Sequence, residues 1–185
     1  MNHNNDVAGN DDPGGEQPDY SVHGNSVEVH ILDHQQSSDI PVEELEALGR
    51  FVLDCEGLSD SSGAIVIADD AYVHELNLRY RGRDEPTDVL SFVACSDDGG
   101  ADNETVTMPE PAGRDRHAGD IIISPDAVVR NAARFGVSKE EELRRVVVHG
   151  MLHVCGRTHE TNDADEPMLK LQEELLQRWS RELLR

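Results

Sequence analysis

Apolar residues recur along the chain at two different spacings, which predict strands and helices in alternation. Residues 27–31 alternate between apolar and polar positions, as in a strand with one buried face. Residues 64–68 form a continuous apolar run, which is typical of a strand buried on both faces. Two further strands are predicted at residues 89–94 and 121–123. The pattern therefore supplies about four strands.

Helical periodicity occupies the segments between and after these strands. Apolar residues at steps of three and four predict a first helix that begins after Pro41 and ends at Cys55. A second helix, preceded by an aspartate suited to cap it, is predicted from its inward-facing residues. Those residues are Val73, Leu76 and Tyr80.

The C-terminal third of the chain contains clearer start and stop signals for helices. Ser124 followed by a proline predicts a helix that ends at Gly136. Ser138 and Glu141 form a capping box, which opens the next helix. That helix is predicted to be buried through three apolar residues: Leu143, Val146 and Val147.

A last helix is predicted over residues 163–184, where Met168, Leu171, Leu175 and Trp179 follow helical steps. On such a stripe, Trp179 is predicted to be a core residue rather than a base-stacking aromatic. The elements together predict a single-domain α/β (α+β) fold. Its core would be a mixed four-stranded sheet packed with about five helices.

Composition divides the chain into a tail and one folded domain. Residues 1–25 have almost no apolar content and no lysine or arginine, so they are predicted to be a disordered acidic tail. Residues 26–185 are long enough to form one domain with a core. Residues 96–118 are acidic and rich in glycine and proline, and they are predicted to form a loop inserted in that domain.

The net charge of −22 comes from 38 Asp and Glu against 16 Lys and Arg, and it opposes binding to nucleic-acid phosphates. Part of the acidity lies in the predicted tail and loop. Arg79, Arg81 and Arg83 form a basic cluster between two predicted elements. The overall charge therefore counts against a nucleic-acid enzyme, and the arginine cluster counts for one.

Cysteine usage and the absence of long apolar runs bear on location. Cys55, Cys95 and Cys155 are odd in number and form no CxxC motif, so neither a disulfide framework nor a thiolate zinc site is predicted. The sequence shows neither a signal-peptide pattern nor an apolar run long enough to span a membrane. These features predict a reduced, cytoplasmic location.

Three histidines within the segment HGMLHVCGRTH have a spacing that suits one metal ion. His149 and His153 are four residues apart, so a helix projects them from one face. Gly156 is suited to end that helix in a left-handed conformation, which returns His159 toward the pair. Three protein nitrogens leave one position open, as in a catalytic zinc site. An ordinary helix-surface pair is the alternative in a chain with nine histidines, and the added glycine and third histidine disfavour it.

The same spacing occurs in the metzincin proteases, which share the frame H-x-x-x-H-x-x-G-x-x-H. Gly150 stands where those proteases carry their general-base glutamate. A zincin-like metal-site geometry is therefore predicted. A metallopeptidase remains an alternative function, although a peptidase needs a base within reach of the metal.

Two further segments accompany the histidine motif: YRGRDEPTDVLSF at residues 80–92 and GDIIIS at residues 119–124. The three segments resemble the HGxLHLxGYDH, YRxKDxPTDVLSF and GDIxIS segments of the YbeY family. Members of that family are bacterial metal-dependent endoribonucleases of ribosomal RNA maturation and ribosome quality control. The segments occur in the family's order, and the resemblance covers the region of about residues 26–180. The chain departs from the family at Arg157 and Thr158, where Tyr and Asp are usual.

The resemblance implies a zinc-dependent endoribonuclease that cuts single-stranded RNA in 16S ribosomal RNA 3′-end maturation, ribosomal RNA processing and ribosome quality control. The implied partners are ribosomal RNA and the small ribosomal subunit, with no DNA and no membrane. One Zn²⁺ per chain would be held by His149, His153 and His159, and imidazole ligands also accept other divalent ions. A non-catalytic, metal-stabilised ribosome-associated factor is a further alternative.

The catalytic residues that the resemblance implies are Arg81 and His149. A guanidinium suits the charge that develops on a phosphorus during hydrolysis. From the local sequence alone, a surface salt bridge of Arg81 with Asp84 or Glu85 is favoured instead. Only the resemblance reverses that preference.

Overall fold

The computed structural model describes residues 24–32, 40–94, 105–108 and 116–184, and those residues form five strands and five helices. The strands are β1 (Ser26–Ile31), β2 (Ser61–Ile67), β3 (Val89–Ala94), β4 (Thr105–Met108) and β5 (Arg116–Ile123). The helices are α1 (Val42–Cys55), α2 (Asp70–Arg81), α3 (Pro125–Phe135), α4 (Lys139–Val154) and α5 (Pro167–Glu182). Residues 1–23 of the predicted tail lie outside the described residues.

The strands form one mixed sheet in the order β1-β2-β5-β3-β4. β1, β2 and β5 run parallel to one another. β3 runs antiparallel to β5, with Val89 opposite Ile123 and Phe92 opposite Asp120. β4 pairs with β3 in parallel at the edge of the sheet. The single α+β domain with a mixed sheet and five helices, predicted from the sequence, is confirmed for the described residues.

The sheet of the described residues has one strand more than the apolar pattern predicts. β4 lies within residues 96–118, the predicted acidic loop, and β5 begins at Arg116 rather than at residue 121. β4 pairs with β3, and the first residues of β5 pair with β2, through backbone hydrogen bonds. Apolar periodicity reflects the burial of side chains, so it does not predict such pairing. The other parts of the predicted loop, residues 96–104 and 109–115, lie outside the described residues.

α4 is the central helix of the fold. It packs against α1, α3 and α5 and against the strands β3 and β5. Ten of its sixteen residues are buried. Leu143, Val146 and Val147, which the sequence predicts as its buried residues, are all at most 4% exposed. The side chains that α4 projects are therefore held in place by a rigid helix.

α4 approaches the sheet closely at Gly150. A Cβ atom at this position would lie 2.9 Å from Ile121 Cγ2 and 3.2 Å from Val89 Cγ2. The Ser91 hydroxyl, which is buried, also donates to the Gly150 carbonyl oxygen at 3.2 Å. Gly150 is therefore a packing residue that lets the helix lie against β3 and β5.

The predicted start and end of α4 are both confirmed. The Ser138 side chain accepts a hydrogen bond from the Glu141 backbone N–H at 3.0 Å, as an N-cap does. After the helix, Gly156 has φ +83°, a left-handed conformation that favours glycine. The Arg157 N–H then donates to the Leu152 carbonyl at 2.9 Å, which turns the chain back across the end of the helix.

Two predictions about burial are wrong. β2 is buried on one face only, because α1 covers that face while Ser62, Ala64 and Val66 on the other remain half-buried. Tyr80 is not buried but 41% exposed, because α2 packs through Val73 and Leu76. The edge of the Tyr80 ring still meets Phe92, with ring centroids 5.4 Å apart.

The last helix is shorter than predicted, but its buried face is correct. α5 begins at Pro167 rather than at residue 163, and proline is favoured in a first helical turn. Met168, Leu175 and Trp179 are buried along it. The Trp179 ring lies 5.5 Å from the Phe51 ring, centroid to centroid, which confirms Trp179 as a core residue.

Candidate active site

The histidines of the HGMLHVCGRTH segment converge on one point. α4 presents His149 and His153 from adjacent turns, and the chain that reverses at Gly156 brings His159 beside them. The Nε2 atom of His149 lies 3.2 Å from Nε2 of His153 and 3.4 Å from Nε2 of His159. All three ligand atoms lie within 4.8 Å of one another, which is close enough for them to bind one metal ion.

Two of the three nitrogen separations are close to those of tetrahedral coordination. Zinc–nitrogen bonds of about 2.0–2.1 Å at tetrahedral angles place two ligand nitrogens about 3.3 Å apart. The separations of His149 Nε2 from the other two Nε2 atoms, 3.2 and 3.4 Å, lie on either side of that value. The donor set therefore fits a metal ion with imidazole ligands, with two of its three nitrogen separations at the tetrahedral spacing.

Each imidazole ring is also held in its orientation by a hydrogen bond at its Nδ1 atom. The acceptors are Gln172 Oε1 for His149 at 2.9 Å, the Arg157 carbonyl for His153 at 2.9 Å and the Thr161 carbonyl for His159 at 3.0 Å. Because an amide or carbonyl oxygen can only accept, Nδ1 carries the proton in each of these bonds. The lone pair of each Nε2 is then directed at the common point, as metal coordination requires.

Thr158 is not the residue that orients the third histidine. The orienting atom is the carbonyl of Thr161, and Glu166 supports that residue by accepting from its N–H at 3.0 Å and from its hydroxyl at 2.9 Å. These hydrogen bonds from Thr161 lower the pKa of Glu166. Asp165, one of the downstream acidic residues, pairs with Lys170 at 2.9 Å.

The thiol nearest in sequence is not suited to coordinate a metal. Cys155 follows α4 and is packed against the core. Burial raises the pKa of the Cys155 thiol to about 12, whereas a metal ligand must be the thiolate. Cys155 is therefore a small packing residue.

The histidines line a cleft of about 660 Å³ between α3, α4, α5 and the segment after α2. Among the described residues that line it, four are arginines and only two are carboxylates. The arginines are Arg81, Arg83, Arg134 and Arg145, and the carboxylates are Asp88 and Glu142. A chain with a net charge of −22 thus gathers positive charge around its histidine cluster.

Arg81 reaches the cleft because α2 ends there. It is the last residue of the helix, and Gly82 follows in the left-handed conformation at φ +67°. Asp84, a candidate salt-bridge partner from the local sequence, pairs with His74 Nε2 at 2.8 Å. The structure thus brings Arg81 and the three histidines, distant in sequence, into one cleft.

Asp88 and Ser91 have structural roles. Asp88 accepts hydrogen bonds from the Asn131 side chain and from the Val89 backbone N–H, both at 2.9 Å, so it joins the start of β3 to α3. Ser91 donates to Gly150, as described above. Both residues hold the walls of the cleft.

Gln172 and the carboxylate Glu142 are site residues that sequence reasoning missed. Gln172 is a buried polar residue within the apolar stripe of α5, and that anomaly was the available signal. Glu142 is 3% exposed, and burial raises the pKa of its carboxyl even though Arg145 lies 3.4 Å away. Arg145 also pairs with Glu173 at 3.3 Å and with Glu141 at 3.7 Å, so three acidic residues surround its charge.

A single α+β domain that directs three imidazoles and an arginine into one cleft defines a candidate metallohydrolase. The model of the family described as endoribonuclease YbeY matches residues 30–180, and the chain belongs to this family. This confirms the resemblance drawn from the three sequence segments.

Individual relatives agree over most of the chain. Proteins named endoribonuclease YbeY from Treponema denticola and Bacillus subtilis are 37% and 36% identical to it. The alignments cover 84% and 82% of this chain, and 94% of each relative. The solution structure of a Thermotoga maritima protein matches with a TM-score of 0.50 and 26% identity, covering 84% of this chain and 91% of that one. No helix among the described residues is long and apolar enough to cross a membrane.

Proposed function

We propose that this protein is a zinc-dependent endoribonuclease that cuts single-stranded RNA during 16S ribosomal RNA 3′-end maturation, ribosomal RNA processing and ribosome quality control. Membership of the family makes it an endoribonuclease, a hydrolase that acts on RNA. The convergence of three Nε2 atoms, each ring held through Nδ1, is the observation that supports the metal-dependent mechanism. The proposed partners are ribosomal RNA and the small subunit, in the cytoplasm.

His149, His153 and His159 would hold the ion, and zinc is the proposed metal because three imidazoles with an open position suit it. When bound, zinc supplies Lewis acidity and activates water. Imidazole ligands also accept other divalent ions, so the site is not restricted to zinc by its donors. His149, which has a neighbouring ligand on either side, lies at the centre of the cluster.

The protein's own contribution is to position RNA and to balance charge. The Arg81 guanidinium would donate to the phosphate at the cut, where negative charge grows in the transition state. Arg83 and Arg134 line the same cleft and would attract neighbouring phosphates. In this way the cleft offsets a repulsive overall charge. Residues 26–185 would form the catalytic domain, with residues 1–25 as a dispensable tail.

The metallopeptidase alternative is disfavoured by the position of Gly150. Residue 150 lies against Ile121 and Val89 of the sheet, where even a Cβ atom is crowded. A general base at this position would have to point into the core rather than toward the histidines. The chain therefore shares the ligand spacing of the metzincin frame but not its general base.

The test combines metal analysis with RNA cleavage. Wild type, His153→Ala and the control His30→Ala are compared; His30 is exposed on β1. The RNA carries one stem and two unpaired ends. We expect about one zinc and cleavage of the unpaired ends in wild type and in the control, and loss of both in His153→Ala.

Three outcomes would contradict the proposal. Equal metal content in wild type and His153→Ala would refute the histidine site. Zinc-loaded protein that binds ribosomal RNA without cutting it would support a non-catalytic factor. Cleavage of peptides but not of RNA would support the metallopeptidase.

A further inference from the structure

Phe135 is exposed, whereas the other two phenylalanines of the chain are buried or partly buried. Its side chain is 59% exposed at the end of α3, whereas Phe92 is 7% exposed against Tyr80. Phe51, the remaining one of three, packs against Trp179. Exposing a large apolar ring loses the free energy that its burial would give, so a position in the core does not account for Phe135.

The ring lies in the same cleft as the histidines. Phe135 and Arg134 both line that cleft, and α3 packs directly on α4, which carries two of the three histidines. One turn earlier on α3, Asn131 donates to Asp88 at the start of β3, which fixes the helix to the sheet. Gly136 then ends the helix at φ +69°. The ring is therefore held on an anchored helix end, not on a loop.

Arg134 gives this aromatic a cationic neighbour. Its guanidinium carbon lies 5.6 Å from the centre of the Phe135 ring. An aromatic ring with a guanidinium over one face can stack a nucleobase on its other face while the cation meets the adjacent phosphate. The same pair offers little to a duplex, because paired bases are already stacked on one another and their faces are covered.

We propose that Phe135 and Arg134 form a stacking platform for one unpaired base of the RNA substrate, next to the metal cleft. This assignment rests on the proposed function and deepens it, since it names the residues that select single-stranded RNA. Arg83 in the same cleft makes RNA the fitting occupant, because its charge complements a phosphate that would flank the stacked base.

The first experiment separates stacking from catalysis by kinetics. Phe135→Ala should raise KM for an unpaired RNA about tenfold with little change in kcat, the typical scale for loss of one stacked base. Phe135→Tyr should restore KM, and Phe135→Leu, which keeps apolar bulk without a ring, should not. The control is Val129→Ala, which removes another exposed apolar side chain of α3 and should leave KM unchanged.

The second experiment locates the base directly. A series of RNAs, each with one abasic nucleotide, should show a single position at which wild type binds more weakly, and Phe135→Ala should be insensitive to that position. In Phe135→Trp, added RNA should quench the new tryptophan fluorescence. The native Trp179 is only 8% exposed, so wild type should show little quenching.

Several results would overturn the platform. If wild type cuts RNA but Phe135→Ala has an unchanged KM and the abasic series is flat, the platform is wrong and the proposed function stands. If wild type neither binds nor cuts RNA, both fail. If Phe135→Ala keeps its KM for free RNA but binds small ribosomal subunits more weakly, the ring contacts protein instead.

Discussion

Gln172 allows the metal centre to be tested without changing any of its proposed ligands. The perturbation is Gln172→Leu, which keeps most of the side-chain volume and removes the amide oxygen 2.9 Å from His149 Nδ1. Gln172 is only 6% exposed, so water has poor access to replace the lost acceptor. A buried donor left without an acceptor costs about 1–3 kcal/mol.

That cost falls mainly on the metal-bound state. Coordination through Nε2 requires the proton of His149 to stay on Nδ1, whereas the metal-free imidazole can place its proton on either nitrogen. The dissociation constant for zinc should therefore rise about 10- to 100-fold, as is typical when the partner of a ligating histidine is removed. Competition with a chromophoric chelator measures this constant. The melting temperature of the metal-free protein should change much less.

Gln177→Leu is the matched control, because it makes the same substitution at an exposed position of the same helix. It should leave the zinc affinity unchanged. An unchanged affinity in Gln172→Leu would show that the amide does not orient His149. Equal weakening in both variants would instead indicate a general effect on α5.

Three further predictions concern the reaction, the packing of α4 and the response to acid. Arg81→Ala should keep its zinc and fold yet lose about 10²-fold in kcat for RNA cleavage, while Arg79→Ala, an exposed residue on the same helix, should not; equal rates would exclude Arg81 from the chemistry. Gly150→Ala should lower the free energy of unfolding by about 1 kcal/mol in chemical denaturation, because crowding at Ile121 outweighs the gain in helix propensity; a stabilised variant would contradict this packing. Burial opposes ionisation of Asp70, but hydrogen bonds from Arg130 and Ser124 outweigh it and lower its pKa. The stabilisation that ionised Asp70 gives to the folded state should therefore be complete above its ordinary pKa of 3.8 and disappear as pH falls through the lowered pKa. The difference in free energy of unfolding between wild type and Asp70→Asn should accordingly shrink in acid. A difference that does not depend on pH would contradict this linkage.

The convergence of the histidines could be predicted because it is encoded locally. His149 and His153 need only one turn of helix between them, and Gly156 supplies the reversal that returns His159. Helix periodicity and a left-handed glycine act within a few residues, so no tertiary information is required. The same holds for the caps at Ser124 and at the start of α4, where the side chain bonds its own helix.

Contacts between distant segments could not be predicted in the same way. Gln172 meets His149 across 23 residues, and only the packing of α5 on α4 brings them together. The order of the strands depends on non-local pairing, and β4 is a four-residue edge strand inside an acidic segment. Tyr80 continues the apolar spacing of α2 but extends beyond the surface that the helix covers. Apolar periodicity identifies the face of a helix that packs against the rest of the protein. It does not show how far along the helix the packing partner extends.

Arg157 shows how a departure from the family pattern is accommodated in this chain. Its backbone carbonyl orients His153, and its side chain pairs with Glu56 at 2.6 Å beyond the end of α1. Glu56 is 7% exposed at its side chain, so this ion pair fixes the loop against the domain, and it raises the pKa of Arg157. The orienting groups for His153 and His159 are backbone carbonyls, which any residue supplies. The orientation of these two histidines therefore depends on the backbone of the loop, and the ion pair of Arg157 with Glu56 holds that backbone here.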